Sequence, residues 1–142
     1  MNDRKLALDT WESLFRAQHE LFHAMAADFE NTPISQSEYD VLLTVTRAPE
    51  MTARLRDVTT KMLISQPSVS RLVDRMVARG LITKCSDPDD GRGSLITATV
   101  AGARSFREVA TVHARSIAEH MSALDADELR TLKALTQKLR GD

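Results

Sequence analysis

The chain of 142 residues has one cysteine, 4% aromatic residues and no long apolar run. A single thiol, Cys85, excludes an intrachain disulfide framework and favours a reducing compartment. A bilayer-spanning helix needs about 20 consecutive apolar residues, which are absent, and the first residues have no signal-peptide core. We therefore expect a cytoplasmic protein whose core consists mostly of Leu, Val, Ala and Met.

The net charge of −1 gives no sign of a nucleic-acid partner, but the charges are unevenly distributed. Between Thr52 and Ser86 lie seven basic residues and only two acidic ones. The remainder of the chain has more acidic than basic residues. A local excess of positive charge attracts phosphate to one lobe of a protein. The distribution predicts that this segment faces nucleic acid, with chance clustering as the alternative.

Two amphipathic segments between Leu55 and Gly80 predict a helix-turn-helix. Leu55, Val58 and Met62 mark a short first helix. A second helix is expected to have Ser65 as its N-cap, Pro67 in its first turn and Gly80 as a left-handed C-terminal cap. Its apolar residues recur at helical spacing and predict one buried stripe, formed by Val69, Leu72, Val73, Met76 and Val77.

The opposite face of this second helix carries hydroxyls and arginines with a single acid, Asp74. In a DNA major groove, arginine pairs bidentately with guanine, and hydroxyls reach base edges or phosphates. Plain helix packing is the alternative, because many helical hairpins have a similar pattern. The predicted DNA-reading residues are Gln66, Pro67, Ser68, Ser70, Arg71 and Arg75.

A strand–turn–strand pattern follows directly. The segments 81–84 and 95–100 are rich in Thr and branched aliphatic residues, and the turn-forming run 87–93 lies between them. A stiff loop can hold one arginine in a minor groove, where the negative potential is strong. We therefore predict a DNA-binding wing with contacts from Asp90, Gly91 and Arg92. A solvated turn whose aspartate and arginine pair with each other is the alternative.

Further amphipathic helices are predicted on both sides of this lobe. The first covers residues 4–30, a capping-box pattern at 35–38 opens the next, and two more follow the wing. The first helix and the last two are longer than a small winged domain can cover, so a second copy of the chain is the simplest partner. The apolar residues expected in that interface are Trp11, Phe15, Leu129, Leu132, Leu135 and Leu139.

These motifs together resemble the MarR family of bacterial transcriptional regulators. The resemblance is carried by residues 65–75, 79–82, 90–92 and 99–102, and it extends over nearly the whole chain in element order and length. Its strongest motif is the Asp-x-Arg of the wing, followed by a Thr-x-x-Gly that opens the next helix. Ala98 and Lys84 depart from the family, which usually has Leu and often Arg at these places.

The resemblance implies a mainly α fold with a small β-hairpin wing, in a single MarR-type domain over residues 1–142. The winged helix-turn-helix lobe would span 35–100, and a helical dimerisation region would comprise 1–32 and 101–142. The function implied is that of a homodimeric, ligand-responsive repressor that binds a palindromic operator in double-stranded DNA. The resemblance also implies that the chain is not an enzyme and needs no cofactor.

The resemblance also implies an effector site. The family binds small phenolic or anionic ligands between the dimerisation helices and the DNA-binding lobe. Trp11, Phe15 and His19 are the residues of the first helix expected to line such a pocket. For Trp11, packing in an apolar core is the alternative.

One motif points to a different function. His19-Glu20-Leu21-Phe22-His23 matches the H-E-x-x-H motif of zinc metallopeptidases, with both imidazoles on one helix face and Glu20 placed to activate water. A third ligand would have to come from Glu30, His113 or His120. A small zinc-dependent hydrolase is kept as the alternative function. We expect no metal site, because dimer packing explains this helix and so short a chain has no catalytic subdomain.

Cys85 follows Lys84 at the end of the first wing strand. A neighbouring cation favours the reactive thiolate form of a cysteine. The sensing thiol of some relatives nevertheless lies near the N-terminus. Cys85 is therefore predicted to be a half-buried strand residue.

Overall fold

The computed structural model describes residues 3–63 and 68–142. It forms two compact units, Ala26–Val112, the winged unit, and Met1–Met25 with His113–Asp142, the terminal unit. The mainly helical fold with a small wing sheet is confirmed. The regular elements are α1 (Asp3–Met25), a 3-10 helix (Ala26–Phe29), α2 (Gln36–Arg47), a 3-10 turn (Pro49–Met51), β1 (Thr52–Arg54), α3 (Leu55–Lys61), α4 (Val69–Ala78), β2 (Ile82–Asp87), β3 (Asp90–Ala98), α5 (Val100–His120) and α6 (Ala126–Arg140).

The winged unit is built around one apolar cluster to which α2, α3, α4, the sheet and the first half of α5 contribute. Burying a Val, Leu, Ile or Met side chain contributes about 1.5–3 kcal/mol to folding, so this cluster orients the exposed faces of α4 and the wing. The largest side chains that are fully buried are Ile34, Leu42, Met76, Ile82, Ile96, Val41, Val45, Val58 and Val73.

The wing is part of a three-stranded antiparallel sheet with the order β1-β3-β2. Strand β1 pairs Thr52 with Thr97 of β3, and their hydroxyls lie 2.9 Å apart. The sequence predicts only the hairpin of β2 and β3, because β1, with three residues, is too short to show the alternating pattern of a strand. The sequence analysis also extended the last strand to Val100, which instead lies in the first turn of α5 and is 73% exposed.

The turn of the wing is tighter than the run 87–93 suggested. Strand β2 continues to Asp87 and β3 begins at Asp90, so only two residues connect them. Asp87 accepts the N–H of Asp89 at 2.9 Å, and Asp90 accepts the N–H of Arg92 at 3.1 Å. The carboxylates therefore stiffen the turn through its backbone.

Helix α4 begins later than predicted. Its N-cap is Ser68, whose hydroxyl accepts the N–H of Arg71 at 3.2 Å, so the assignment of the cap to Ser65 was wrong. Both serines precede the apolar stripe, but Ser68 is the one directly before its first residue, Val69. Ser65 itself lies outside the described residues. Val77, predicted to be buried, is 38% exposed because it lies at the margin of the stripe.

The C-terminal end of α4 has the predicted left-handed cap. Gly80 has a φ of +75° and donates its N–H to the Val77 carbonyl at 3.0 Å, while Leu81 donates to Met76 at 3.0 Å. These two hydrogen bonds form a Schellman motif, which glycine favours because it has no Cβ.

The Thr-x-x-Gly motif fixes this helix end to the start of α5. The Thr99 hydroxyl donates to the Gly80 carbonyl at 2.6 Å and accepts the N–H of Gly102 at 2.9 Å. Gly102 packs directly on the backbone of Leu81, where a Cβ would lie 1.9 Å from the Leu81 carbonyl oxygen. The motif therefore requires glycine because of this close approach.

Other predicted helix boundaries are confirmed or corrected individually. Ser35 and Glu38 form the predicted capping box of α2, and Asp125 and Glu128 form one at the start of α6. Helix α1 was expected to continue to residue 30, but it ends at Met25 and is followed by the 3-10 helix.

In the terminal unit, α1 and α6 bury none of their residues within this chain. Trp11, Phe15, Leu135 and Leu139 are all more than half exposed. Their apolar faces are thus available to a partner. In the part of the chain that the structure describes, no helix has the length and apolar character needed to cross a membrane.

We predict that Gly102→Ala lowers the free energy of unfolding by about 1–3 kcal/mol or more, as expected for overpacking. The new methyl would collide with backbone, which cannot move as a flexible side chain would. Gly91→Ala is the matched control, because no atom lies within 4 Å of its added Cβ. Urea unfolding of both variants measures the effect. Equal stability of the two would contradict the close packing of α4 and α5.

Candidate nucleic-acid interface

The exposed face of α4 presents the polar residues that the sequence analysis selected. Leu72, Val73 and Met76 are buried in the winged unit, which turns Ser70, Arg71 and Arg75 outward. Ser68 lies at the start of this face, half-buried, with its hydroxyl occupied by the helix cap. Gln66 and Pro67 lie outside the described residues, so their proposed roles stay predictions.

The one acid of this face is offset by a cation from the wing. Lys84 of β2 donates to Asp74 at 3.3 Å. Among the described residues, Arg71 and Arg75 take part in no ion pair. Their guanidinium groups therefore retain their donors for an external acceptor.

The segment that directly follows α3 is bonded to α2. The buried carboxylate of Asp40 accepts the N–H of Leu63 at 2.7 Å. This bond joins the segment after α3 to the middle of the winged unit. Sequence reasoning did not find it, because the two residues are 23 positions apart.

Arg54 joins the wing to the start of α3. Its Nε lies 3.0 Å from the buried Asp87 carboxylate, and its Nη2 lies 3.9 Å from Asp89. The alternative to a DNA-binding wing was a solvated turn in which Arg92 pairs with an aspartate of the same turn. Instead, these aspartates pair with Arg54, and within the described residues the exposed Arg92 side chain has no ion pair. That a wing arginine enters a minor groove stays a prediction.

A cleft of about 500 Å³ separates α3 from the wing. Arg56 and Thr59 line one side, while Arg92 and Ser94 line the other. Among the described residues, neither Arg56 nor Arg92 takes part in an ion pair. The cleft thus carries two available guanidinium groups, one of which, that of Arg92, is the predicted minor-groove contact.

The local excess of positive charge is smaller than the sequence indicated. Of the seven basic residues between Thr52 and Ser86, Arg54, Arg79 and Lys84 pair with carboxylates. The other four are exposed or line the cleft, and they are Arg56, Lys61, Arg71 and Arg75.

The candidate effector residues form a ladder of rings along α1. The ring centroids of Trp11 and Phe15 lie 5.7 Å apart, those of Phe15 and His19 6.4 Å, and those of His19 and His23 4.4 Å. All four residues are exposed in this chain. Within the described residues, no three His, Cys, Asp or Glu side chains lie close enough to hold a metal ion, and this includes the three suggested third ligands.

Cys85 is exposed, and the prediction of a half-buried residue was wrong. Strand β2 is an edge strand of the sheet, and only its first and last residues, Ile82 and Asp87, are buried. The four residues between them, Cys85 among them, are exposed.

Comparisons with known proteins agree with this geometry. A family model described as MarR family matches residues 32–93, the part that holds α2, the helix-turn-helix and the turn of the wing. The resemblance to the MarR family is confirmed. The matched range is slightly less than half of the chain, and the similar proteins below extend the comparison to the terminal helices.

Three relatives show how far the similarity extends. The HTH-type transcriptional regulator YkoM of Bacillus subtilis is 25% identical over 93% of this chain and 84% of its own length. A MarR family regulator of Streptomyces coelicolor, solved in complex with DNA, has a TM-score of 0.81 at 18% identity, over 99% of this chain and 87% of its own. BpsR of Bordetella bronchiseptica, whose DNA binding is regulated by 6-hydroxynicotinic acid, has a TM-score of 0.78 at 21% identity, over 92% of each chain.

We predict that Arg71→Ala weakens binding to the cognate duplex by about 1–3 kcal/mol, the range of a bidentate contact with guanine. Binding to a random duplex should change much less, because base contacts carry the sequence information. Fluorescence anisotropy with the two duplexes measures the difference. An equal loss on both would mean that Arg71 contacts only phosphate.

Arg92→Ala should weaken binding of the cognate duplex without changing the thermal stability of the protein, since this side chain has no ion pair among the described residues. The control is Arg130→Ala, which removes an exposed arginine of α6 whose ion pair is with Asp127 of the same helix. Unchanged affinity of the Arg92 variant at physiological salt would contradict the wing contact.

Proposed function

We propose that this protein is a homodimeric transcriptional repressor that binds a palindromic operator and releases it when a small ligand binds. The observation that carries the proposal is the exposed face of α4. Its arginines are free of ion pairs among the described residues, its one acid is offset by Lys84, and a stiffened wing follows it.

In the proposed complex, α4 lies in the major groove and the wing reaches the adjacent minor groove. Arg71 reads guanine, while Ser70 and Arg75 contact base edges or phosphates. The cleft between α3 and the wing would receive the sugar–phosphate backbone, with Arg56 on one side and Arg92 on the other. The DNA complex of the Streptomyces coelicolor relative supports this arrangement as an analogy in fold.

The proposed dimer is formed by the terminal helices. Helices α1 and α6 leave their apolar faces exposed in the single chain. A twofold axis brings the same patch of both copies together, so each buried side chain counts twice. Two copies of α4 would then lie about one DNA turn apart, roughly 10 bp, which requires a palindromic site.

Deleting residues after Ala123 should abolish the dimer, because it removes α6 with its exposed leucines. A milder change than the deletion replaces Leu135 and Leu139 by Glu, which adds negative charge to the exposed leucine face of α6. Lys133→Glu, on an exposed position of α6, is the control for added negative charge. Analytical ultracentrifugation should find monomers or aggregates for the first two changes and dimers for the control. A stable dimer of the truncated chain would place the interface elsewhere.

The proposed effector is a small phenolic or anionic molecule that contacts Trp11, Phe15 and His19. Their exposed rings offer stacking surfaces, and an imidazole can donate to an anion. A ligand shifts DNA binding only by its difference in affinity for the free and DNA-bound states. BpsR supports the ligand class, because 6-hydroxynicotinic acid regulates its DNA binding.

Ligand binding can be followed through Trp11, the only tryptophan of the chain. Titration with 6-hydroxynicotinic acid or a related hydroxybenzoate should change its fluorescence, and Phe15→Ala should weaken the effect. Phe106→Ala is the control for loss of a phenylalanine outside α1, and it is compared below its melting temperature because Phe106 packs against the core of the winged unit. Fluorescence that is insensitive to a panel of such acids would remove the effector from this face.

The proposed function as a whole is tested by selecting duplexes from a random library with the purified protein. We expect an enriched palindrome and an affinity that falls steeply with salt, because each neutralised phosphate releases counterions. Recovery of unrelated sequences, without salt dependence, would reject the proposed function.

A further inference from the structure

Arg79, at the C-terminal end of α4, is about half exposed and reaches the segment that leads into α2. Its Nη1 donates to Oε2 of Glu38, and its Nη2 donates to the Pro33 carbonyl at 2.7 Å. In the sequence, Arg79 is part of the positive charge of residues 52–86 and of the segment 79–82 that resembles the MarR family. The structure places both of its hydrogen bonds on the segment that leads into α2.

Glu38 serves two elements at once. Its Oε1 accepts the N–H of Ser35 at 2.8 Å as part of the α2 capping box, and its other oxygen accepts Arg79. The residue is only 6% exposed. A buried carboxylate that has lost its cation is costly, so the start of α2 and the end of α4 are joined by one side chain.

The planar guanidinium makes this connection specific. Its two nitrogens reach a carboxylate and a carbonyl in a fixed fork, which the single ammonium of lysine does not reproduce. A side chain that contacts only phosphate would be replaced by lysine with little loss, because either cation neutralises one charge. Arg79→Lys therefore distinguishes the forked hydrogen bonds to Glu38 and Pro33, which lysine does not reproduce, from a phosphate contact, which lysine does reproduce.

The angle of α4 depends on how its C-terminal end is held. Arg71 and Arg79 are eight residues apart, about 12 Å along a helix. A rotation of about 10° at the C-terminal end would move Arg71 by about 2 Å, whereas hydrogen bonds span only about 2.7–3.2 Å. A small change in angle therefore breaks contacts with base edges, while long side chains can still reach phosphates.

We propose that Arg79 is a positioning residue for DNA reading. Through Glu38 and Pro33 it sets the angle at which α4 presents Arg71, and it contributes sequence specificity without touching DNA. The proposal rests on the DNA-binding function proposed above.

The test compares Arg79→Lys, Arg79→Ala and Glu38→Gln with the wild-type protein. Glutamine at position 38 can still accept the Ser35 N–H, because capping boxes use either Glu or Gln, but it loses the charge that pairs with Arg79. Arg75→Ala is the control for an arginine that contacts DNA. Affinities are measured for the selected operator and for a random duplex over a range of salt concentrations, well below the melting temperature of each variant.

We expect each of the three variants to lose about tenfold in affinity for the operator and much less for the random duplex. The salt slope should stay unchanged for them, whereas Arg75→Ala should reduce it by about 0.9 for each lost phosphate contact. The double variant of Arg79→Ala and Glu38→Gln should be no worse than Arg79→Ala alone, because that change already removes the interaction with Glu38.

Three results would overturn the proposal. An equal loss on both duplexes with a reduced slope would make Arg79 a phosphate contact. A lower melting temperature with an unchanged ratio of operator to random affinity would make the interaction purely structural. Full rescue by Arg79→Lys would mean that charge alone matters. Failure of the proposed function is recognised separately, because the wild-type protein would then bind neither duplex in a salt-dependent way.

Discussion

The rest of the winged unit depends on how the C-terminal end of α4 is held. Gly80 turns the chain in a left-handed cap, the Thr99 hydroxyl bonds its carbonyl, and Gly102 lets α5 approach the next residue. Arg79 ties the same end to Glu38 of α2. Because α4, the wing and α5 meet at the C-terminal end of α4, the contacts that hold this end set the direction of the exposed arginines of α4. Under the proposed positioning role, a change here would affect DNA reading without altering any residue proposed to contact DNA.

Electrostatic pairing decides which charges remain available. Within the described residues, the acids of the wing are occupied by Arg54 or by backbone N–H groups, and Asp74 is paired with Lys84. The carboxylates thus serve the structure, and positive charge is left on α4 and beside the cleft. The net charge of −1 does not reveal this separation of paired carboxylates from unpaired arginines. The exposed rings of α1 and the exposed leucines of α6 are apolar or aromatic rather than charged.

Local patterns were predictable from the sequence, whereas long-range pairing was not. The capping box at Ser35 and the cap at Gly80 depend on residues within a few positions, and both were found. The partner of Arg79 is 41 residues away and leaves no periodic signal. The start of α4 was misplaced because two serines precede it. The edge position of Cys85 depends on strand order, which a single strand does not reveal.

The central claim is that α4 reads the major groove while the wing enters the minor groove beside it. Chemical footprinting on the selected duplex tests it most directly, with dimethyl sulfate for guanine N7 in the major groove and hydroxyl radicals for the backbone along the minor groove. The account predicts two protected major-groove patches about one turn apart, flanked by minor-groove protection that Arg92→Ala removes. Protection confined to one groove, or minor-groove protection that survives in the Arg92 variant, would contradict it.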